Sequence, residues 1–446
     1  MGKTKRRSQV AGQDMVDLSG VDAASRDLLN MTIADLPMGT FGDSLDTISR
    51  GRSGIHMPAL CLRYLFGCRV WLLTRVVELF GAPGSCKSML LGEIMRWHTA
   101  QHGRGHIIDN ESKEASQLIE TIVFDSELLK RIQGGSTSEL QQWQQLLTFT
   151  AAGIAKSCVP KDARDESTYG PLSRIPQCIG IDPLTGTSTE ESIDAIRKAG
   201  HSKREFAVEA LLISKYLKAL PNIMKFAPLS IVGTNHYKPT DENDKSTPGG
   251  EAYKFLSTYR IKLARHRAIP PRSDGATGLV IGVQIPKSST SASSRKLQVK
   301  VMWHRRKDEH GQSRQYTYWD WHTATIDMLL DQQPMKKLWH EVTDVVDIHK
   351  GKGGRIYSDV LGISKEAPVP AYVAGRLLEN EPRLLGQLYD IFLIAKNNIF
   401  VPGTIYPKYR DEKYRERLPG YANPLLTNDY VDFLTGDPNA DANEEE

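Results

Sequence analysis

No stretch of this sequence approaches the ~18 consecutive apolar residues of a membrane-crossing helix, so no spanning segment is expected. Cysteine is scarce. Five thiols (Cys61, Cys68, Cys86, Cys158 and Cys178) are scattered, odd in number and never spaced C-x-x-C. That spacing excludes a disulfide framework and a cysteine-based zinc site, and it points to a reducing, cytoplasmic setting. The opening MGKTKRR is basic but has no apolar stretch behind it, so it reads as a mobile arm rather than a secretory signal. Charge of one sign is also lacking: +4 over 446 residues is too little to argue nucleic-acid binding by itself. What is present, 40% hydrophobic and 25% charged residues, suits an ordinary folded protein of two or three domains.

The most informative stretch is Arg75–Ile94, RVVELFGAPGSCKSMLLGEI. Val76–Phe80 is a short run, apolar except for Glu78, as a mostly buried parallel strand should be. Leu90, Leu91, Ile94 and Trp97 then recur at helical spacing on one face. Between strand and helix lie Gly81, Ala82, Pro83, Gly84, Ser85, Cys86, Lys87 and Ser88. A strand, a tight turn and a helix start form the setting of a phosphate-binding loop, in which bare N–H groups and one cation converge on an anion. Lys87 would reach the β- and γ-phosphates of a nucleotide, and the Ser88 hydroxyl would stand on Mg²⁺. Cys86 occupies the position where the pattern G-x-x-x-x-G-K-[ST] has its second glycine, and a side chain there crowds the loop.

Further strands are expected to end in polar groups. GHIIDNES brings Asp109 and Glu111 to the end of one, Gln177–Asp182 stops at its acid, and Leu229–Asn235 is followed by His236. In an open α/β sheet such ends face the ligand. Asp182 suits a water-mediated hold on Mg²⁺, with capping of the next turn as the plainer alternative. Glu111 suits a general base for the attacking water, or else a solvated acid at a helix start. Asn235 and His236 suit readers of the γ-phosphate, or structural hydrogen bonders. Helical patterns are expected at Glu114–Gln133 and Ser138–Lys156. Antiparallel strands are expected at Thr258–Ala264, Leu279–Ile285, Leu297–Trp303 and Gln315–Trp321, with the Ser-rich Lys287–Ser294 as a flexible hairpin tip.

Taken together, Lys-Ser at a helix start, Glu after the next strand, Asp after a third and Asn-His after a fourth resemble the RecA ATPase core. From about Arg75 to Lys396 the chain resembles the UvsX-type recombinases of large bacteriophages. In that family a residue other than glycine also precedes Lys-Ser, as Cys86 does here. IDPLTGTSTEESIDAI (Ile181–Ile196) is similar to the family's Walker B region. Asn235-His236 matches its signature pair, and STPGGEAYKFLSTYRIKL (Ser246–Leu263) is similar to the Gly-Gly segment that ends the second DNA loop of RecA. Val369–Tyr389 resembles the C-terminal domain.

The resemblance implies ATP and Mg²⁺ as cofactors and Glu111 as the catalytic acid–base residue. It also implies a cation sent across a protomer interface. In VMWHRRK, Trp303 takes the first of two interface lysine positions and Arg305 the second, with Arg306 as a substitute. Two DNA loops would span about 186–203 and 237–250. Arg197, Lys198, Lys203 and Arg204 stand at the end of the first, and Lys238 and Lys245 in the second. These DNA residues have solvated faces as their alternative. The stretch SKEASQL stands where RecA keeps its adenine-stacking Tyr, which leaves base recognition unassigned.

The expected organisation is α/β: a RecA-like core at 61–332 with a mostly parallel sheet, flanking helices and added antiparallel strands. An arm precedes it at 1–60, a small α+β domain follows at 333–436, and an acidic disordered tail closes at 437–446. The implied partners are single- and double-stranded DNA, further copies of the chain in a helical filament, a single-strand binding protein and a mediator, with no membrane. A viral source would make the setting the host cell interior. The expected function is ATP-dependent homologous pairing and strand exchange. A hexameric helicase or motor on the same core is the alternative, and a KaiC-like signalling ATPase is a third reading. Residues 1–60 are too short for the primase-binding domain that a replicative helicase should carry.

Overall fold

The computed structural model describes residues 53–110, 120–122, 126–136, 151, 175–184, 224, 228–236, 251–271, 276–290, 295–307, 313–330, 339–394 and 404–405. The chain opens with β1 (Ser53–His56), α1 (Leu60–Phe66) and β2 (Val70–Leu72). Next come β3 (Arg75–Gly81), α2 (Lys87–Ala100), β4 (Arg104–Asp109), α3 (Ser126–Leu129), β5 (Ile132–Ser136), β6 (Gln177–Asp182) and β7 (Leu229–His236). After α4 (Glu251–Leu256) follow three long strands, β8 (Tyr259–Ile269), β9 (Thr277–Ser288) and β10 (Arg295–Lys307), and the shorter β11 (Ser313–Trp319). The remaining elements are α5 (Trp321–Leu330), α6 (Trp339–Val346), β12 (His349–Lys350), β13 (Ile356–Tyr357), α7 (Ala371–Glu379), α8 (Pro382–Ile394) and β14 (Thr404–Ile405).

The fold is α/β, built on a nine-stranded mixed sheet in the order β11-β10-β9-β8-β3-β7-β6-β4-β5. From β8 to β5 every neighbour is parallel, and from β8 to β11 every neighbour is antiparallel. β8 belongs to both halves. Parallel neighbours need crossovers that cover the sheet, which explains why β6 and β7 are buried along their whole length up to the last residue. α2 lies across this half. It comes so close to β6 that a Cβ on Gly180 would stand 2.4 Å from Met95 Cε.

α2 is buried on nearly all sides, beyond the single apolar face expected from its spacing. On its polar side Glu93 accepts hydrogen bonds from Arg96 Nη2 (2.7 Å), Trp97 Nε1 (2.9 Å) and Trp321 Nε1 (3.2 Å). A buried carboxylate is tolerated only when so satisfied. Around the helix the indoles form a chain. Trp71 meets Trp97 edge-on, Trp97 meets Trp321 edge-on, and Trp319 stacks flat on Trp321 at 5.1 Å. A second buried charge pair ties α1 to α7: Glu379 accepts from Arg63 Nη1 (2.6 Å) and from the Leu60 N–H. β1 pairs with β2 and β14 in a separate three-stranded sheet.

Three expectations change. The helix foreseen through Gln133 gives way to β5 at Ile132, which among the described residues is an edge strand paired only with β4. Trp321 opens α5 instead of ending β11, because Asp320 Oδ1 accepts the Thr323 N–H (3.1 Å) and starts the helix. The first part of the Ser-rich hairpin is pinned. Thr290 Oγ1 donates to Phe66 O (2.6 Å) and meets Tyr259 Oη (3.0 Å), and Lys287 Nζ donates to Phe255 O (2.8 Å). Residues 291–294 lie outside the described residues, as do the helix expected at Ser138–Lys156 (apart from Ala151), the arm before Ser53 and the acidic tail. No described helix is long and apolar enough to cross a membrane.

Candidate functional site

The carboxyl ends of β3, β7, β6 and β4 line up at one edge of the sheet. Gly81 is in register with His236 and Phe80 with Asn235; Asp109 is in register with Asp182. The loop Gly81–Cys86 rises from this edge into α2. Gly81 must be glycine, since a Cβ there would stand 2.2 Å from Leu263 O on β8. Ala82, Pro83 and Gly84 are exposed, while Ser85 and Lys87 are buried. Cys86 takes the N-cap position in a left-handed conformation (φ 65°) and gives no side-chain cap. The turn a glycine would make is therefore made by cysteine, at a conformational cost of roughly 1 kcal/mol. The first amides of α2 receive nothing from the cap residue, and the helix dipole adds positive potential at the same spot.

Lys87 Nζ donates to Gly81 O and Ala82 O, both at 3.0 Å. The cation is thus held over the carbonyls of its own loop. Ser85 Oγ, 1% exposed as a residue, has no hydrogen-bond partner among the described residues. Asn110 Oδ1 at the end of β4 is likewise without one, although its Nδ2 donates to Pro183 O (2.7 Å). The orphaned Ser85 hydroxyl, at the edge where helix amides and a lysine gather, can donate to an oxygen-rich anionic ligand, whereas Asn110 Oδ1 can only accept. Burial pushes the Cys86 thiol up to about 11, against the pull of the nearby Arg265 and Lys87 charges. At neutral pH Cys86 is a thiol and no nucleophile.

Asp182 is half-exposed and accepts from the Thr234 hydroxyl on the neighbouring strand. Ser88, half-buried, stands in the first turn of α2. Ser88 and Asp182 could hold a Mg²⁺ ion of the kind that takes few protein oxygens and completes its shell from phosphate and water. Among the described residues no three or more His, Cys, Asp or Glu side chains converge as an all-protein cage would require.

Asn235 is turned away from the edge. Its Nδ2 donates 3.0 Å to Glu78 Oε1 within β3, and Arg260 of β8 ion-pairs with the other oxygen of the same carboxylate. His236, half-exposed, is the member of the pair displayed at the edge. Sequence reasoning assigned no role to Glu78, Arg260 or Thr234. The signal was a lone acid inside the apolar β3, whose partners come from two other strands.

Arg305 is exposed on β10 opposite Gln315. Through Leu263 and Val283, Leu297 is level with Gly81. Arg305 stands eight positions further on, about 26 Å along the strand at ~3.3 Å per residue. The fold does not bring Arg305 and Lys87 of one chain together. Glu111, Arg197, Lys198, Lys203, Arg204, Lys238 and Lys245 lie outside the described residues. No family model and no curated protein sequence matches the chain.

Proposed function

We propose that the chain is an ATPase of the RecA type that assembles on single-stranded DNA and promotes homologous pairing and strand exchange, as UvsX-like recombinases do. The observation that supports this most is the shared edge. Lys87 and Ser88 at the start of α2, Asp182 at the end of β6 and His236 at the end of β7 stand at the carboxyl ends of adjacent parallel strands. Lys87 neutralises the β- and γ-phosphates, and the amides at the start of α2 cradle them. Ser88 and Asp182 would hold Mg²⁺, which would supply charge stabilisation on the transferred phosphoryl group. Glu111 orients and deprotonates the attacking water. His236 reads the γ-phosphate, and Asn235 positions it by tying β7 to Glu78. Arg305, far from Lys87 in its own chain, serves the site of a neighbouring copy. The DNA contacts are Arg197, Lys198, Lys203 and Arg204 with Lys238 and Lys245.

Lys87→Ala should abolish ATP turnover in a protein whose circular dichroism and melting match the wild type. Near wild-type turnover in that folded variant removes the nucleotide assignment. Negative-stain images with single-stranded DNA and ATP test the assembly. Open helical filaments are expected, and closed rings would favour the helicase reading instead.

A further inference from the structure

β8 passes the loop and keeps going. Leu263 is in register with Gly81, the last residue of β3, yet the strand continues to Ile269. Arg265 stands two positions beyond Leu263, about 7 Å past that level at ~3.3 Å per residue. It is exposed. β8 and β3 are directly paired, so Arg265 overhangs the loop from the strand next to it. The Cys86 thiol, on the rim of the loop, feels two positive charges, Arg265 and Lys87. The pairing of β8 with β9 slips between Arg265 and Arg267, leaving His266 as the extra residue. The His266 ring lies over Gly282, where a Cβ would come within 2.3 Å of Nε2. A bulge of this kind re-aims the side chains on either side of it and is common beside active sites.

From this placement we propose that Arg265 is a second phosphate-binding cation of the candidate site, supplied by the same chain from the overhang of β8. The inference rests on the nucleotide reading given above and adds a ligand group to it. A guanidinium presents two parallel N–H groups to one phosphate, which the single ammonium of Lys87 cannot do. The two cations act from different sides. Lys87 is held inside the loop by Gly81 O and Ala82 O, and Arg265 approaches from outside it. Arg265 also differs from Arg305, which stands too far along β10 to reach the loop of its own chain.

The deciding experiment measures binding of ATP and of inorganic tripolyphosphate, without DNA and with Mg²⁺, to the wild-type protein and four folded variants. Arg265→Gln should weaken both ligands by about 10- to 100-fold, the range for a charge-assisted hydrogen bond. Arg265→Lys should recover part of the loss, because the charge stays while the fork is gone. Arg267→Gln, across the bulge, should bind as the wild type does. If Arg265→Gln binds both ligands normally while Lys87→Ala loses both, the arginine proposal is overturned and the site reading stands. If Arg265→Gln loses ATP alone and keeps tripolyphosphate, Arg265 is not a phosphate ligand and the proposal is again overturned. If Lys87→Ala itself binds both ligands normally, the site reading fails and the proposal goes with it.

Discussion

Strands β3, β4, β6 and β7 run for six to eight residues and are largely buried, whereas β8, β9 and β10 run for 11 to 13 residues, and β8 and β9 alternate buried with more open positions. The difference follows from what each half must connect to. A parallel strand feeds a crossover, so it ends where its covering helix or loop begins, and the ends fall level. Polar residues at such ends stand side by side, as Asp109, Asp182 and His236 do. An antiparallel strand returns through a hairpin and can outrun its neighbours. Its chemistry lies along the overhang, as with Arg265 and Arg305. Position along a strand thus carries opposite meaning in the two halves. A polar residue at the end of a parallel strand stands level with its neighbours' ends, and one on an antiparallel overhang stands beyond that level.

The seam between the halves is β3 against β8, and Gly81→Ala should do most damage there. Its Cβ would meet Leu263 O at 2.2 Å, which only a shift of the strand can relieve. A loss of about 4 kcal/mol or more in urea unfolding is expected, and a loss under about 1 kcal/mol would mean that the seam is soft. Next comes the charge pair that crosses the same seam. Glu78→Gln removes the negative charge that the mostly buried Arg260 ion-pairs with and should cost about 3 kcal/mol. In a double-mutant cycle with Arg260→Gln the two losses should fall short of adding. Strict additivity would show that the pair does not couple the halves.

A third effect belongs to the parallel half alone, beneath which His98 is fully buried in α2. Its Nδ1–H donates to Ile94 O (2.8 Å), and burial lowers its pKa to about 4. An unfolded histidine titrates near 6.5. Below that pH the unfolded chain takes a proton that the folded chain refuses. The stability is therefore whole above pH 6.5 and drains as the pH falls toward 4, by about 3 kcal/mol in full. His322, pushed to about 3 by burial and by nearby arginines, extends the same trend. Stability against pH should be flatter for His98→Leu than for the wild type between pH 7 and 4. An unchanged slope would clear His98 of the effect. The smallest change is Cys86→Gly, which removes the cost of a left-handed cysteine at the N-cap and should raise stability by up to about 1 kcal/mol. A fall in melting temperature would mean that the packing of Cys86 outweighs its backbone cost.

Much of the parallel half was legible because its strands are apolar runs closed by punctuation. Gln177–Asp182 stops at an acid and Val76–Phe80 at glycine, and both are strands within a residue of where the pattern puts them. β5 was not legible. IQGGS has one apolar side chain and two glycines, and it is a strand only because β4 offers it an edge. The burial of the polar side of α2 was not legible for a similar reason. Glu93 finds its last donor in Trp321, 228 residues away, and local spacing holds no trace of that. In the candidate site, the residues at strand ends were visible one strand at a time. The bond from Asn235 to Glu78 was not, because it depends on which strand lies beside which.

The four indoles Trp71, Trp97, Trp319 and Trp321 make α2 an optical reporter. They are almost wholly shielded from water and close enough for excitation to pass from ring to ring before it is emitted. Two of them share a carboxylate, Glu93, that belongs to the helix rising from the Lys87 loop. A shift of that helix changes ring spacing and the local electric field together. The colour and polarisation of the chain's ultraviolet fluorescence therefore register movement of α2 without any added label.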